Sequence, residues 1–262
     1  MLPRLSGETR IHLIVGDPIG QTKSPAGLTQ VFAARGVDAV CIPMQVAPAD
    51  LDAFMAAAKR VQNIDGIVVT VPHKFAALRH CDTISERSRG LAAVNAMRRE
   101  PDGRWSGDMT DGIALVAALR AAGCDPKGRR ALVVGAGGAG SAVVLALAEA
   151  GARVAVHDID AARCDDLRRR LAAWEIAAGG ADPAGCGLVV NATPLGMAAG
   201  DPLPVDILRL EDGAWVADLV TRPAVTPLLE AARRRGAPIL TGAEMFALQA
   251  GILADFLLFA AR

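Results

Sequence analysis

Arg130-Ala131-Leu132-Val133-Val134-Gly135-Ala136-Gly137-Gly138-Ala139-Gly140-Ser141 decides the reading of this chain. A short apolar run reads as a buried strand, and it breaks into glycines at Gly135, Gly137 and Gly140. Ser141 to Ala150 is nearly all Ala, Val and Leu, so it reads as a buried helix. Gly135 permits the sharp strand-to-helix turn, Gly137 lets the backbone approach a pyrophosphate, and Gly140 lets the helix pack close to the sheet. The helix N-terminus offers unpaired N–H groups and a positive dipole end to the phosphates. A second strand, Arg153 to His157, ends at Asp158, about 20 residues beyond the glycines, where a carboxylate can accept from both ribose hydroxyls. The pattern predicts dinucleotide binding. Ala/Gly-rich chains also produce this spacing by chance, and a tight glycine turn without a ligand is the alternative.

The chain has 262 residues and a hydrophobic fraction of 52%, enough for two modest domains or one large one. Its formal net charge is +0, which leaves no electrostatic case for nucleic acid or an anionic membrane. Met1 to Glu8 lacks the apolar core of a signal peptide, and no uncharged apolar run reaches the roughly 18 residues of a spanning helix. Cys41, Cys81, Cys124, Cys164 and Cys186 are widely spread, and His12, His73, His80 and His157 show no metal-ligand spacing. The expectation is a cytoplasmic, metal-free monomer or homodimer acting on a small molecule.

Strands alternate with helices along the chain. Ile11 to Val15 reads as a strand, followed by a helix with Ser24 as cap and Pro25 at its first position. Ala39 to Gln45 is a strand, Pro48-Ala49-Asp50 opens a helix, and Ile64 to Val71 is a strand stopped by Pro72. Leu91 to Met97 reads as another strand, and Pro101-Asp102-Gly103 as a hairpin-type turn. Helices are expected at Ile113 to Ala122, Ala161 to Ala173 and Glu244 to Ala260, with strands at Leu188 to Val190, Trp215 to Leu219 and Pro238 to Leu240. This alternation implies an α/β fold with a mostly parallel, two-faced sheet, and the stretch before the glycine loop suggests a first domain with its own sheet.

Val69-Thr70-Val71-Pro72-His73-Lys74 places a lysine just past a strand end, where α/β enzymes tend to put functional groups. Gly107-Asp108-Met109-Thr110-Asp111-Gly112 places a carboxylate in a glycine-flanked loop. Hydride transfer from an alcohol carbon needs a partner for the hydroxyl proton, and Lys74 oriented by Asp111 can serve. A solvated Lys–Asp pair is the plainer reading of the same residues.

Together these segments resemble the shikimate dehydrogenase family, which interconverts a ring hydroxyl of shikimate or quinate and a ketone. The resemblance rests on Gly16-Asp17-Pro18-Ile19, Lys23-Ser24-Pro25, Val69 to Lys74, Ala93-Val94-Asn95, Thr110-Asp111-Gly112, Gly135 to Ala139, Asn191 to Met197, Thr226 to Leu229 and Gln249-Ala250, in family order across nearly the whole chain. It implies an N-terminal α/β substrate domain over residues 1–108, a Rossmann dinucleotide-binding domain over 109–240, and a C-terminal helix within 241–262 returning to the first domain. It implies proton transfer by Lys74 and Asp111, and substrate contacts from Thr22, Ser24, Thr70, Asn95 and Gln249. Thr193 and Met245 would line the nicotinamide, and the coenzyme contacts extend to Gly138, Ala139, Ile159, Arg163, Asn191, Pro194, Leu219 and Gly242. Taken alone, Ser24 reads as a helix cap, Asn95 as a turn residue and Met245 as core.

Several positions depart from the family pattern. Thr22 stands where a serine is usual, Val68 and Met109 where asparagines are usual, Leu28-Thr29 where a His-Asn pair is common, and Thr221 where a tyrosine is expected. Each lost donor or acceptor would cost about 1–3 kcal/mol of substrate binding, so a shift toward a related cyclic hydroxy acid is expected. Coenzyme choice reads as NAD over NADP. Members using NADP tend to follow the second strand with Asn-Arg-Thr, and this chain has Asp158-Ile159-Asp160. A carboxylate about 4 Å from a 2′-phosphate costs about 4 kcal/mol at an effective dielectric of about 20, unless Arg163 swings in. Two other readings compete. A non-catalytic ligand sensor retaining the fold would have no need of Lys74 or Asp111, and another Rossmann user, such as a methyltransferase, gives them no task.

Overall fold

Period-2 burial along the first strand, β1 (Arg10–Gly16), sends Leu13 and Val15 into one apolar cluster and Ile14 into another. The third strand, β3 (Ile64–Val69), does the same, with Ile67 and Val69 on one side and Val68 on the other. A strand that is apolar on both faces needs cover on both, which helices supply. The computed structural model describes residues 5–258 and divides the chain into two compact units. One runs to Thr110 and resumes at Gln249, and the other is Asp111–Leu248.

The first unit continues from β1 through α1 (Ser24–Ala34), β2 (Ala39–Gln45), α2 (Leu51–Ala58), β3 and α3 (Lys74–Ala77). It closes with β4 (Thr83–Ile84), α4 (Glu86–Leu91), β5 (Ala96–Arg99) and β6 (Trp105–Asp108). Sheet order is β2-β1-β3-β5-β6-β4. β1 is parallel to β2 and β3, whereas β5 runs antiparallel to both β3 and β6. Leu51 and Met55 of α2 cover one face, and Leu28 and Phe32 of α1 join Leu253, Ala254 and Leu257 on the other.

The second unit holds α5 (Asp111–Ala121), β7 (Arg130–Val134), α6 (Gly138–Glu149), β8 (Arg153–His157), α7 (Ala161–Arg170) and β9 (Ala177–Ala178). It goes on through β10 (Leu188–Asn191), β11 (Trp215–Asp218), α8 (Pro227–Arg234) and β12 (Ile239–Leu240) to α9 (Gly242–Leu258). Strand order is β12-β11-β10-β7-β8-β9, with every neighbouring pair parallel. The order reverses between β7 and β10, which is the switch point of a doubly wound sheet. The unit boundary falls inside α9, whose later residues Leu253, Ala254 and Leu257 belong to the first unit's core.

Four expectations are corrected. Leu91 to Met97 is not a strand. Leu91 ends α4, Ala92 takes a left-handed φ of 51°, and pairing resumes only at Ala96. β3 stops at Val69, although the Thr70 N–H still donates to the Val15 carbonyl at 2.9 Å. Ser24 is not a helix cap: Lys23 holds that position without a side-chain cap bond, and Ser24 lies buried in the first turn. α7 ends at Arg170, short of Ala173. The last helix was expected to reach Ala260, which lies outside the described residues.

His12 is the exception among the buried mid-strand residues, which are otherwise apolar. It is buried, stacks on Phe32 with ring centroids 4.7 Å apart, and its Nδ1 has no hydrogen-bond partner among the described residues. Burial lowers its pKa from 6.5 to about 4, against the smaller opposing pull of Asp65. The unfolded chain therefore takes up a proton below pH 6.5 that the fold refuses, and stability falls between pH 6.5 and about 4. At about 1.4 kcal/mol per pH unit, the loss by pH 4.5 is about 2–3 kcal/mol. Denaturant titration of His12→Leu at pH 7 and 4.5 should show that much less acid destabilisation than the parent; equal losses would mean that His12 is not its source.

Candidate active site

In the first unit, strand register gathers the polar residues at one edge. Val68 pairs with Ala96, and Ala96 with Asp108, so the ends of β3 and β6 and the start of β5 lie in one row. The Asn95 carbonyl accepts from the Val69 N–H at 2.7 Å, and the Asn95 N–H donates to the Asp108 carbonyl at 2.9 Å. The Val94 N–H donates to the Lys74 carbonyl at 3.0 Å, which ties the first residue of α3 to the same edge. Lys74, Asn95, Asp108 and Thr110 are all buried. Thr70 lies at the end of β3, and His73 supports that turn through Nε2, 2.7 Å from the Val46 carbonyl oxygen.

The Asn95 side chain locks the loop after β6. Its Oδ1 accepts from the Thr110 N–H at 2.8 Å, and its Nδ2 donates to Thr110 Oγ1 at 3.0 Å. Asp111 is the next residue and opens α5 of the second unit, where it is buried. Asp108 braces the loop from below. Its carboxylate accepts from Arg87 Nε at 2.7 Å and Nη2 at 2.8 Å, and from Ser85 Oγ at 2.5 Å. Burial opposes its charge, but Arg87, Ser85 and the Met109 N–H outweigh that and hold its pKa below the ordinary value. Sequence reasoning missed Arg87, Asp108 and the Thr110 side chain. The Ser85-x-x-Ser88 cap and the glycine-flanked Asp108 were the available signals.

The remaining substrate candidates of this unit differ in setting. The Thr22 hydroxyl donates to the Ile19 carbonyl at 2.9 Å, closing its own turn. Ser24 sits in the first turn of α1, and Gln249 is half-buried on α9. Val68, read from sequence as a lost polar contact, packs in the apolar cluster with Leu28, Leu253 and Leu257.

In the second unit the glycine loop joins β7 to α6. Gly135 has φ of 106°, a conformation open to glycine, and a Cβ on Gly140 would run into the Gly135 carbonyl oxygen. Gly137 caps α6 in extended backbone without a side-chain bond, and a Cβ there meets open space. A loop that exposes its amides and keeps clear space before a helix N-terminus fits a pyrophosphate. Gly138 and Ala139 form the first turn of that helix, and both are half-buried.

Asp158 follows β8 as expected, but its carboxylate turns toward the loop. Oδ2 accepts from the Ala136 N–H at 2.7 Å and Oδ1 from the Asp160 N–H at 2.9 Å. The cap on α7 is Asp160. Ile159 is 99% exposed, and Arg163 is exposed on the first turn of α7 with Nε 3.4 Å from Asp160 Oδ2. Across the switch point, Asn191 Oδ1 accepts from Thr193 Oγ1 at 2.7 Å, and Asn191 Nδ2 donates to the Leu195 carbonyl at 3.0 Å. Pro194 is exposed in that loop, Leu219 is half-buried after β11, and Gly242 and Met245 are buried in α9. No group of three His, Cys, Asp or Glu residues able to hold a metal occurs among the described residues, nor does any helix long and apolar enough to cross a membrane.

Comparison with known proteins follows the same lines. A family model described as the shikimate dehydrogenase substrate binding domain matches residues 14–97. The shikimate dehydrogenase (NADP(+)) of Rubrobacter xylanophilus is 39% identical over 97% of this chain and 92% of its own. That of Acidiphilium cryptum is 39% identical over 94% and 89%. The structure of the Thermus thermophilus shikimate 5-dehydrogenase in complex with NADP(H) and shikimate superposes with a TM-score of 0.86 at 30% identity, covering 95% of this chain and 93% of that one. The expectation of NAD is overturned, because both relatives are named for NADP(+). That expectation needed the Asp158 carboxylate free to accept from both ribose hydroxyls, and both of its oxygens already accept from backbone N–H groups, which occupy about two of its four acceptor positions.

The two glycines separate fold from ligand. Gly140→Ala should lose at least about 1–3 kcal/mol of stability, because rigid backbone cannot yield to the new methyl. Gly137→Ala should melt within about 0.5 kcal/mol of the parent yet bind a dinucleotide about tenfold or more weakly, the methyl occupying the phosphate approach. Thermal melts beside calorimetric titration check both, and unchanged binding by the Gly137 variant would remove the pyrophosphate from this loop.

Proposed function

The chain belongs to the shikimate dehydrogenase family, and we propose that it is an NADP-dependent oxidoreductase interconverting a ring hydroxyl of shikimate and the corresponding ketone. The observation that carries this reading is the row of buried polar groups along one sheet edge, with Lys74 at its rim and Asp111 one residue beyond the Asn95–Thr110 lock. NADP supplies or accepts the hydride when it is bound. In alcohol oxidation Lys74 Nζ takes the hydroxyl proton, and in ketone reduction it returns a proton to the carbonyl oxygen. Asp111 assists that transfer with its carboxylate. Thr22, Ser24, Thr70, Asn95 and Gln249 hold the substrate's hydroxyls and carboxylate. A non-catalytic sensor finds no support beside named enzymes at this identity.

Shikimate is preferred here over a shifted substrate because of where the departures fall. Leu28 and Val68, both standing where polar residues are usual, lie in one apolar cluster. Apolar side chains packed among apolar neighbours leave no buried donor or acceptor unsatisfied there. Met109 is likewise buried. For the 2′-phosphate the candidate cation is Arg163. Its exposed pair with Asp160 is worth about 0–1 kcal/mol, so turning it to a phosphate costs little.

Lys74→Ala should lower kcat for shikimate oxidation by about 10²–10⁴-fold with the melting curve and NADP+ affinity preserved. A variant within a few-fold of the parent would exclude it as proton carrier. Arg163→Ala should lower kcat/KM for NADP+ by about tenfold, the scale of one phosphate contact, and an unaltered value would assign the phosphate to another group.

A further inference from the structure

Proton transfer leaves one buried carboxylate without a task. Asp218 ends β11, is 1% exposed, and accepts from donors on separate segments. Asn191 Nδ2 donates to Oδ1 at 3.1 Å, the Val220 N–H donates to Oδ1 at 2.9 Å, and Thr226 Oγ1 donates to Oδ2 at 2.7 Å. Burial pushes the carboxyl above its ordinary pKa, with the Thr226, Val220 and Asn191 bonds pulling the other way.

The bonds around Asp218 run in one direction. The Leu195 N–H donates to Thr193 Oγ1 at 3.1 Å, and Thr193 Oγ1 donates to Asn191 Oδ1 at 2.7 Å. The amide of Asn191 then spans the Leu195 carbonyl and Asp218. The loop after β10, the turn after β11 and the N-cap of α8 therefore converge on one acceptor. An amide in place of this carboxylate keeps a single acceptor oxygen and sets an NH₂ against one of the donors.

Topology assigns these loops to one half of the coenzyme. The glycine loop after β7 and Asp158 after β8 define the half-sheet β7-β8-β9 that receives the pyrophosphate and the adenosine ribose. Across the switch point, the carboxyl ends of β10 and β11 are left for the nicotinamide. We propose that Asp218 is a positioning residue for the nicotinamide half of the coenzyme site, fixing the Asn191–Leu195 loop and the Leu219–Val220 turn that would wall it. The inference rests on the NADP-dependent reading above.

Binding of NADP+ and of adenosine 2′,5′-bisphosphate, which carries only the adenine half, tests it in the full chain. Asp218→Ala should weaken NADP+ about 10- to 100-fold, the loss of one or two charge-assisted hydrogen bonds, and lower kcat while adenosine 2′,5′-bisphosphate binds within about twofold of the parent. Should that variant fail to fold, Asp218→Asn carries the same comparison, and Asn191→Ala should reproduce the split between the two ligands. Equal weakening of both ligands, or of neither, overturns the proposal while leaving the coenzyme reading intact. A parent protein that binds neither compound overturns the coenzyme reading and the proposal with it.

Discussion

A sheet covered by helices on both faces has one place for polar side chains, the strand ends, and this protein's chemistry is confined there. β1 and β3 are apolar on both sides because helices or other apolar segments cover each side. Asn95, Asp108 and Thr110 lie at or just beyond strand ends of the first unit, Asn191 and Asp218 end strands of the second, and Thr226 caps α8 against Asp218. Burial without a partner would cost each of them about 1–3 kcal/mol, and each has one. His12 is the mid-strand counterexample, with an orphaned ring nitrogen and a depressed pKa to show for it. The stability of the sheets and the location of the site are thus one constraint seen twice.

The same constraint reassigns Leu28 and Val68. Judged singly, each is a lost polar group in a site for a polyhydroxylated acid. In the fold both join Ile14, Phe32 and Leu253 in a single apolar cluster, where neither leaves a polar group unpaired. The pair thereby adds to the adhesion of α9 to the first unit's sheet, where each fully buried aliphatic side chain contributes about 1.5–3 kcal/mol.

The two-sheet α/β architecture, the glycine loop and the ends of most elements were legible in sequence because they are written in local signals: apolar runs, glycines and prolines. What escaped depends on contacts between distant residues. Leu91 to Met97 has the composition of a strand, yet Leu91 closes a helix and Ala93 packs inside. Arg87, 21 residues before Asp108, carries no local mark of the ion pair it makes. Asp158 stands at the strand end where spacing puts it, but the direction of its carboxylate follows from the Ala136 amide, which sequence spacing does not reveal. The expectation of NAD counted this carboxylate as free for a ribose. It weighed a charge without its hydrogen bonds.

Both units use asparagine in the same way. Asn95 and Asn191 each stand at a strand end, and each spends its amide on the backbone and hydroxyl of a threonine: Thr110 in the first unit and Thr193 in the second. An amide is suited to this because it donates and accepts on one rigid plane, so it can hold an N–H and a hydroxyl of the same residue. Aspartate in its place would accept from both but could not donate to Thr110 Oγ1 or to the Leu195 carbonyl. In the second unit a buried carboxylate stands behind the asparagine. Charge there strengthens the bond to the asparagine amide, and it can be kept buried because Val220 and Thr226 supply the other donors. Loops that present groups to a ligand are thus held by buried side chains at the strand ends.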